Sequence, residues 1–253
     1  MQKRSSIFWG SLLIILAIIL LLLQMDIIQG QIWDYFWPSA LIIIGTWMVI
    51  GYLAGRKPAP TEQVSYDLGN MAKVKLKIEH GAGKLELHSG APLGKVFTGS
   101  CIGGLTIDAQ ESNGRTTLRL RPPSQFWDWA PGKGLHWNLA LTSEVPIEID
   151  IDSGASASTL DLTDLFINDL RVSTGASSAV IMMPAKAGHT SAKVSTGVSS
   201  VKISIPEGVA ARIRVKTGLS SLQVDKARFH LVSNDLFQSA DYETANNRLD
   251  MTI

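Results

Sequence analysis

Ser153-Gly154-Ala155-Ser156-Ala157, Thr174-Gly175-Ala176-Ser177-Ser178, Thr196-Gly197-Val198-Ser199-Ser200 and Thr217-Gly218-Leu219-Ser220-Ser221 are four copies of one pattern. Each reads hydroxyl residue, glycine, apolar residue, serine, then alanine or serine. The glycines follow one another at steps of 21, 22 and 21 residues. A fixed period of this size marks one structural unit laid down repeatedly.

The flanks of each glycine define the unit. Three positions before it stand Ile151, Val172, Val194 and Val215, and five before stand Ile149, Leu170, Ala192 and Ile213. Four after stand Ser158, Ala179, Val201 and Leu222, and six after stand Leu160, Ile181, Ile203 and Val224. Largely apolar positions thus recur every second residue on both sides, which is the strand period. Pro184 and Pro206 stand nine residues past their glycines, where a strand should end. The unit therefore reads strand, Gly-Ser corner, strand, turn.

Two six-residue strands and two corners need roughly twenty residues. That length predicts an all-β, solenoid-like repeat domain with successive rungs about 4.8 Å apart. A right-handed β-helix is the type expected, though the length itself does not set the hand of the coil. A row of antiparallel hairpins forming a sandwich is the alternative, and the offsets alone do not separate the two. In the stacked reading Gly154, Gly175, Gly197 and Gly218 give the corner a backbone angle that other residues resist. Ser156, Ser177, Ser199 and Ser220 then form a ladder of hydroxyls. Four equivalent serines are mortar in such a wall, not four nucleophiles.

A degenerate earlier copy surrounds Gly81, with Leu76 and Ile78 before it and Leu85 and Leu87 after. Leu105–Ile107 and Leu118–Leu120 flank Asn113-Gly114, a strong hairpin signal. The stretch from Phe126 to Trp137 is an insertion rich in tryptophan and glycine. Its rings Trp127, Trp129 and Trp137 are the candidate interaction surface, with capping of the stack or contact with a bilayer as the other uses. Leu249, Met251 and Ile253 alternate again as a final strand.

The first 55 residues follow different rules. No charged residue occurs from Ser5 through Met25 or from Tyr35 through Gly55. Each stretch is long enough for a helix to cross the hydrocarbon core, which takes about 20 residues. Trp9, Trp33, Tyr35, Phe36, Trp37 and Tyr52 lie near the ends, where rings favour the headgroup region. No small-x-small cleavage site follows the first run, so it reads as a retained span. The expected organisation is a two-helix transmembrane hairpin at 1–55, a juxtamembrane linker at 56–65 and the β-repeat domain at 66–253. Lys3 and Arg4 precede the first span, and Arg56 and Lys57 follow the second. The positive-inside rule places both termini and the β-domain in the cytoplasm.

The formal net charge of +1 argues against nucleic acid as a partner. The single Cys101 cannot form an internal disulfide. The five histidines show no zinc-ligand spacing, and no nucleophile elbow or phosphate loop occurs. Asp161, Asp164 and Asp169 match no calcium-loop spacing and read as turn residues. The expectation is no cofactor, no metal and no catalytic group.

Two stretches carry a family resemblance. Phe36-Trp37-Pro38-Ser39-Ala40-Leu41-Ile42-Ile43-Ile44-Gly45 resembles the opening of a span in the LiaI/LiaF-like transmembrane region of bacterial envelope-stress proteins. The glycine corners, with their proline-ended strands, resemble the toastrack β-domains of LiaF-type and adhesin-like proteins. Tyr242-Glu243-Thr244-Ala245-Asn246-Asn247-Arg248-Leu249-Asp250 is similar to the close of such domains. The resemblance implies a bacterial membrane protein without catalysis, acting by contact with a sensor kinase or another membrane protein. The stackable ends of the repeat suggest self-association through edge strands. An outward-facing adhesin-like module is the alternative. The chain departs from some relatives in having two spans where they have four.

Overall fold

The alternation around the first two glycine corners produces two long strands. β2 (Val74–Ser89) runs straight through Gly81, and β7 (Ile147–Asp161) runs straight through Gly154. They pair in parallel along almost their whole length, from Val74 opposite Ile147 to Leu87 opposite Leu160. The computed structural model describes residues 37–39, 41–42, 45–46, 49, 61–112, 115–123, 134–197, 199–216 and 223–253. Two units make up the chain, one of Met1–Pro58 with Phe126–Lys133 and one of Ala59–Gln125 with Gly134–Ile253. The described residues of the first unit are helical. Among the described residues no helix is long and apolar enough to cross a membrane. The predicted hairpin lies almost wholly outside them, and Gly218, Ser220, Trp127 and Trp129 lie outside them entirely.

The next two corners continue the stack. β8 (Ile167–Thr174) and β9 (Ser177–Met182) lie parallel on the two halves of β7. β10 (His189–Thr196) and β11 (Ser199–Ser204) lie in turn on β8 and β9. The register is the one the stacked reading requires. Leu76, Ile149, Leu170 and Ala192 are successive partners, as are Leu87, Leu160, Ile181 and Ile203. Parallel neighbours mean that none of these corners is a hairpin. Each corner folds the sheet over, so that the halves before and after the glycines form two wings. Both wings bury alternate residues in one apolar cluster, including Ile78, Leu85, Ile151, Leu160, Val172 and Ile181.

The rest of the chain finishes the two wings. Beside the second half of β2 lie β6 (Leu135–Leu141), then β3 (Lys95–Ile102) and β1 (Thr61–Asp67) at the edge. Beside its first half lie β5 (Arg115–Arg121) and β4 (Thr106–Ser112), the hairpin expected around Asn113-Gly114. β1 begins inside the segment expected to be a linker. Its Val64 and Tyr66 pack on the core, an alternation that the neighbouring prolines concealed. At the far end, β15 (Arg248–Thr252) is the expected final strand.

The fourth unit departs from the simple stack. β12 (Ala210–Arg214) does not lie on β10, because β15 pairs in parallel with both and stands between them. Met251 continues the apolar column from Ala192 to Ile213. The short hairpin of β13 (His230–Ser233) and β14 (Leu236–Gln238) closes this edge. Arg228 ties the preceding turn, donating to the carbonyls of Ile205 and Pro206 at 2.5 Å and of Val209 at 2.8 Å. The described strands join into one fifteen-stranded, mostly unclosed sheet.

Candidate interaction surfaces

The corner glycines stack directly on one another, and the reason is space. None of Gly154, Gly175 or Gly197 has a positive φ, so the expected need for an unusual backbone angle is wrong. A Cβ on Gly154 would sit 2.9 Å from the carbonyl oxygen of Gly81. On Gly175 it would sit 3.2 Å from that of Gly154, and on Gly197 3.1 Å from that of Gly175. The backbone ladder continues through the bend, with Gly175 N donating to Ser153 O at 3.1 Å and Gly197 N to Thr174 O at 3.0 Å.

Ser199 lies opposite Ser177 in the register, and the pairing of Ala157 with Ser178 sets Ser156 level with Ser177. Buried Ser156 hydrogen-bonds along its own strand, its Oγ 3.3 Å from that of Ser158. The Oγ of Ser177 is buried without a hydrogen-bond partner among the described residues.

Trp137 is not part of a contact surface. It is fully buried, donates Nε1–H to the Gly104 carbonyl at 3.2 Å, and meets the ring of His80 edge-on at 5.1 Å. His80 is a corner residue that the core encloses. Burial pushes its imidazole down to about 4, with the charge of His136 adding to the effect. The period of two could have found both residues. His80 is in phase with Leu76 and Ile78, and Trp137 is in phase with Leu139 and Leu141.

A trough of about 540 Å³ is lined by Gln63 and Ser65 of β1, Thr98 and Ser100 of β3, Asn138 and Ala140 of β6, and His88 of β2. A fixed polar network borders it. His88 Nδ1–H donates to Ser89 O at 2.7 Å, and its Nε2 lies 3.0 Å from Asn138 Oδ1. Asn138 Nδ2 donates to Glu86 Oε2 at 2.8 Å. Lys84, 2.5 Å from Glu86, holds that carboxyl down at about 2, helped by His136 and Asn138. The opposite wing is more heavily charged on its outer face, with Lys73–Glu148, Arg119–Glu79 and Arg171–Asp169 ion pairs at 2.8, 2.6 and 3.1 Å.

These surfaces offer hydrogen bonds and shape. Among the described residues no serine, threonine or cysteine side chain hydrogen-bonds a histidine, and no group of three His, Cys, Asp or Glu could hold a metal ion. Asp161 accepts from Thr163 N and Oγ1 in a turn, while Asp164 and Asp169 pair with Lys186 and Arg171. Cys101 is buried, which pushes its thiol up to about 12.

Comparison with known proteins agrees with this geometry. The fold is similar to the crystal structure of a "putative cell adhesion protein" from Clostridium sporogenes ATCC 15579, with a TM-score of 0.70 and 18% identity. The match covers 78% of this chain and 94% of that one. At that identity the likeness speaks for the fold alone. No curated protein matches the chain. The family model for the LiaI-LiaF-like transmembrane region matches residues 7–49, which makes this a membrane-anchored protein. The family model described as the N-terminal domain of toast_rack, DUF2154, matches residues 55–204, more than half of the chain. The protein belongs to the toast_rack family.

Proposed function

We propose that this protein is a non-catalytic scaffold that holds a partner protein at the bacterial membrane, in the sensing or regulation of envelope stress. The observation that carries the reading is the junction of two parts. A transmembrane region of LiaI-LiaF type ends at residue 49, and a stacked β-domain begins at Thr61. A rigid domain on a short tether acts by what it touches. The same reading includes a two-helix hairpin over 1–55, a right-handed coil for the β-domain and a cytoplasmic location for it. Trp127 and Trp129 and the exposed edge strands are its candidate contacts, with a sensor kinase or a second copy as the partner. Deleting the gene in its host should raise envelope-stress transcription in unstressed cells, because a restraint is lost. Unchanged transcription, with and without a cell-wall-active antibiotic, would sink the regulatory reading.

The outward-facing, adhesin-like reading draws support from the described cell adhesion protein of the same fold. Topology separates the two. Ser195 is exposed, and the one native thiol is buried. In intact cells carrying Ser195→Cys, an impermeant maleimide should fail to label a cytoplasmic domain. Rapid labelling would put the domain outside.

A further inference from the structure

Hydroxyls flank the glycine ladder, and the packing buries several of them without partners. Before the glycines, His80, Ser153, Thr174 and Thr196 are opposite one another in consecutive layers. His80, Ser153 and Thr174 are 1, 4 and 6% exposed. Both ring nitrogens of His80, Ser153 Oγ, Thr174 Oγ1 and, after the glycine, Ser177 Oγ have no hydrogen-bond partner among the described residues. Roughly nine buried polar groups in ten are satisfied by protein or ordered water. Five such atoms along one corner need a common explanation.

Strand spacing supplies it. Neighbouring layers lie about 4.8 Å apart, beyond the ~3.5 Å reach of a hydrogen bond. One water about 2.8 Å from each partner spans gaps of up to about 5.6 Å. The next residues inward, Ile78, Ile151 and Val172, are apolar and cannot serve. We propose that the inside of the glycine corner is a water-binding site, a file of ordered water molecules that bridges His80 to Ser153 and Ser153 to Thr174, and leads on towards Thr196. Ser177 joins the file from the other side of the glycine. Its neighbour along the strand explains why. Ser156 has Ser158 as a partner, but the third layer carries Ala179 opposite Ser158, so Ser177 has none. The ring of Trp137 closes the file at His80, and the exposed Thr196 opens it at the other end. The repeat motif then encodes a division of labour. The glycine lets the layers approach, and the hydroxyls on either side hold the water between them.

The test uses the full chain in detergent micelles, unfolded with urea. Ser153→Ala and Thr174→Val should each raise the unfolding constant roughly five- to ten-fold, because each strands a bound water. The double variant should cost less than the product of the two, because the pair shares one water. An unchanged or lowered unfolding constant, or strictly multiplicative effects, would overturn the proposal, since deleting a dry orphaned hydroxyl is neutral or stabilising. Crystallography of the unaltered protein gives an independent answer. An ordered water within hydrogen-bond distance of both Ser153 Oγ and Thr174 Oγ1 supports the file, and a dry gap between them rules it out.

Discussion

The two ends of the glycine stack share a backbone pattern and differ in what fills it. At one end β2 and β7 pass their corners as unbroken strands of 16 and 15 residues. Their inward residues Val74, Leu76, Ile78, Leu85 and Leu87 are all at or below 1% exposure. At the other end the strands are interrupted at Gly175 and Gly197, the inward residues include Ala192, and Val201 and Ile203 are only partly buried. That end is completed by a strand borrowed from the C-terminus. A repeat can therefore fix geometry without distributing stability evenly. Nearest-neighbour layers should open from the thin end first.

Side-chain size along one column gives the largest test of this difference. Leu76 and Ala192 occupy equivalent places, joined through Ile149 and Leu170. Leu76→Ala should cost about 3 kcal/mol in urea unfolding, through lost burial and the cavity left behind. Ala192→Gly should cost about 1 kcal/mol, chiefly in backbone entropy. Equal costs would mean that the two ends are energetically alike.

Acid should act on the dense end through His80. Its folded-state value near 4 lies below the ordinary 6.5, so the unfolded chain binds the extra proton between those limits. The stability this neutral ring contributes is complete above about pH 6.5 and is lost as the pH falls towards 4. The loss should reach about 2 kcal/mol by pH 5. The carboxyls of Glu79, Glu86 and Glu148 are all held low by basic neighbours, Arg119, Lys84 and Lys73 foremost. Their contributions fade only below the ordinary carboxylate value near 4.5, which leaves the upper window to His80. Urea unfolding at pH 7.5 and pH 5 should show the drop, and His80→Gln should flatten it. An undiminished slope in that variant would place the proton elsewhere.

Much of this layering was legible before any coordinates, and the exceptions have physical causes. Apolar positions at fixed distances from Gly81, Gly154, Gly175 and Gly197 specified the strands and, for units that stack, their register, because a one-residue slip would turn every side chain to the wrong face. Alternation says which residues share a face but not which strand lies alongside, so the insertion of β15 between β10 and β12 was invisible. Trp137 was read by the company it keeps in a tryptophan-rich stretch, although its phase with Leu139 and Leu141 points inward. The serines were legible as a column. That Ser156 is buried and that the Oγ of Ser177 is buried without a partner depend on how closely two wings meet, and one strand pattern does not carry that information.

The glycines themselves give the finest comparison, because a sequence does not reveal whether a glycine is present for its backbone angle or for its missing side chain. The stack separates the two. Gly154→Ala would press a methyl group to 2.9 Å from the Gly81 carbonyl, backbone that cannot swing aside. Its cost should be about 1–2 kcal/mol by the usual penalty for overpacking. Gly81 is the bottom of the ladder. A Cβ there meets nothing within 4 Å, and its φ is not positive. Alanine at 81 narrows the unfolded ensemble without straining the folded one, so Gly81→Ala should be neutral or stabilise by up to about 0.5 kcal/mol. The two substitutions are chemically identical and lie one layer apart, in the same protein and the same corner. A Gly81→Ala loss matching that of Gly154→Ala in urea unfolding would show that the corner requires glycine for its conformation. A clear difference in sign assigns the ladder to the close approach of its layers.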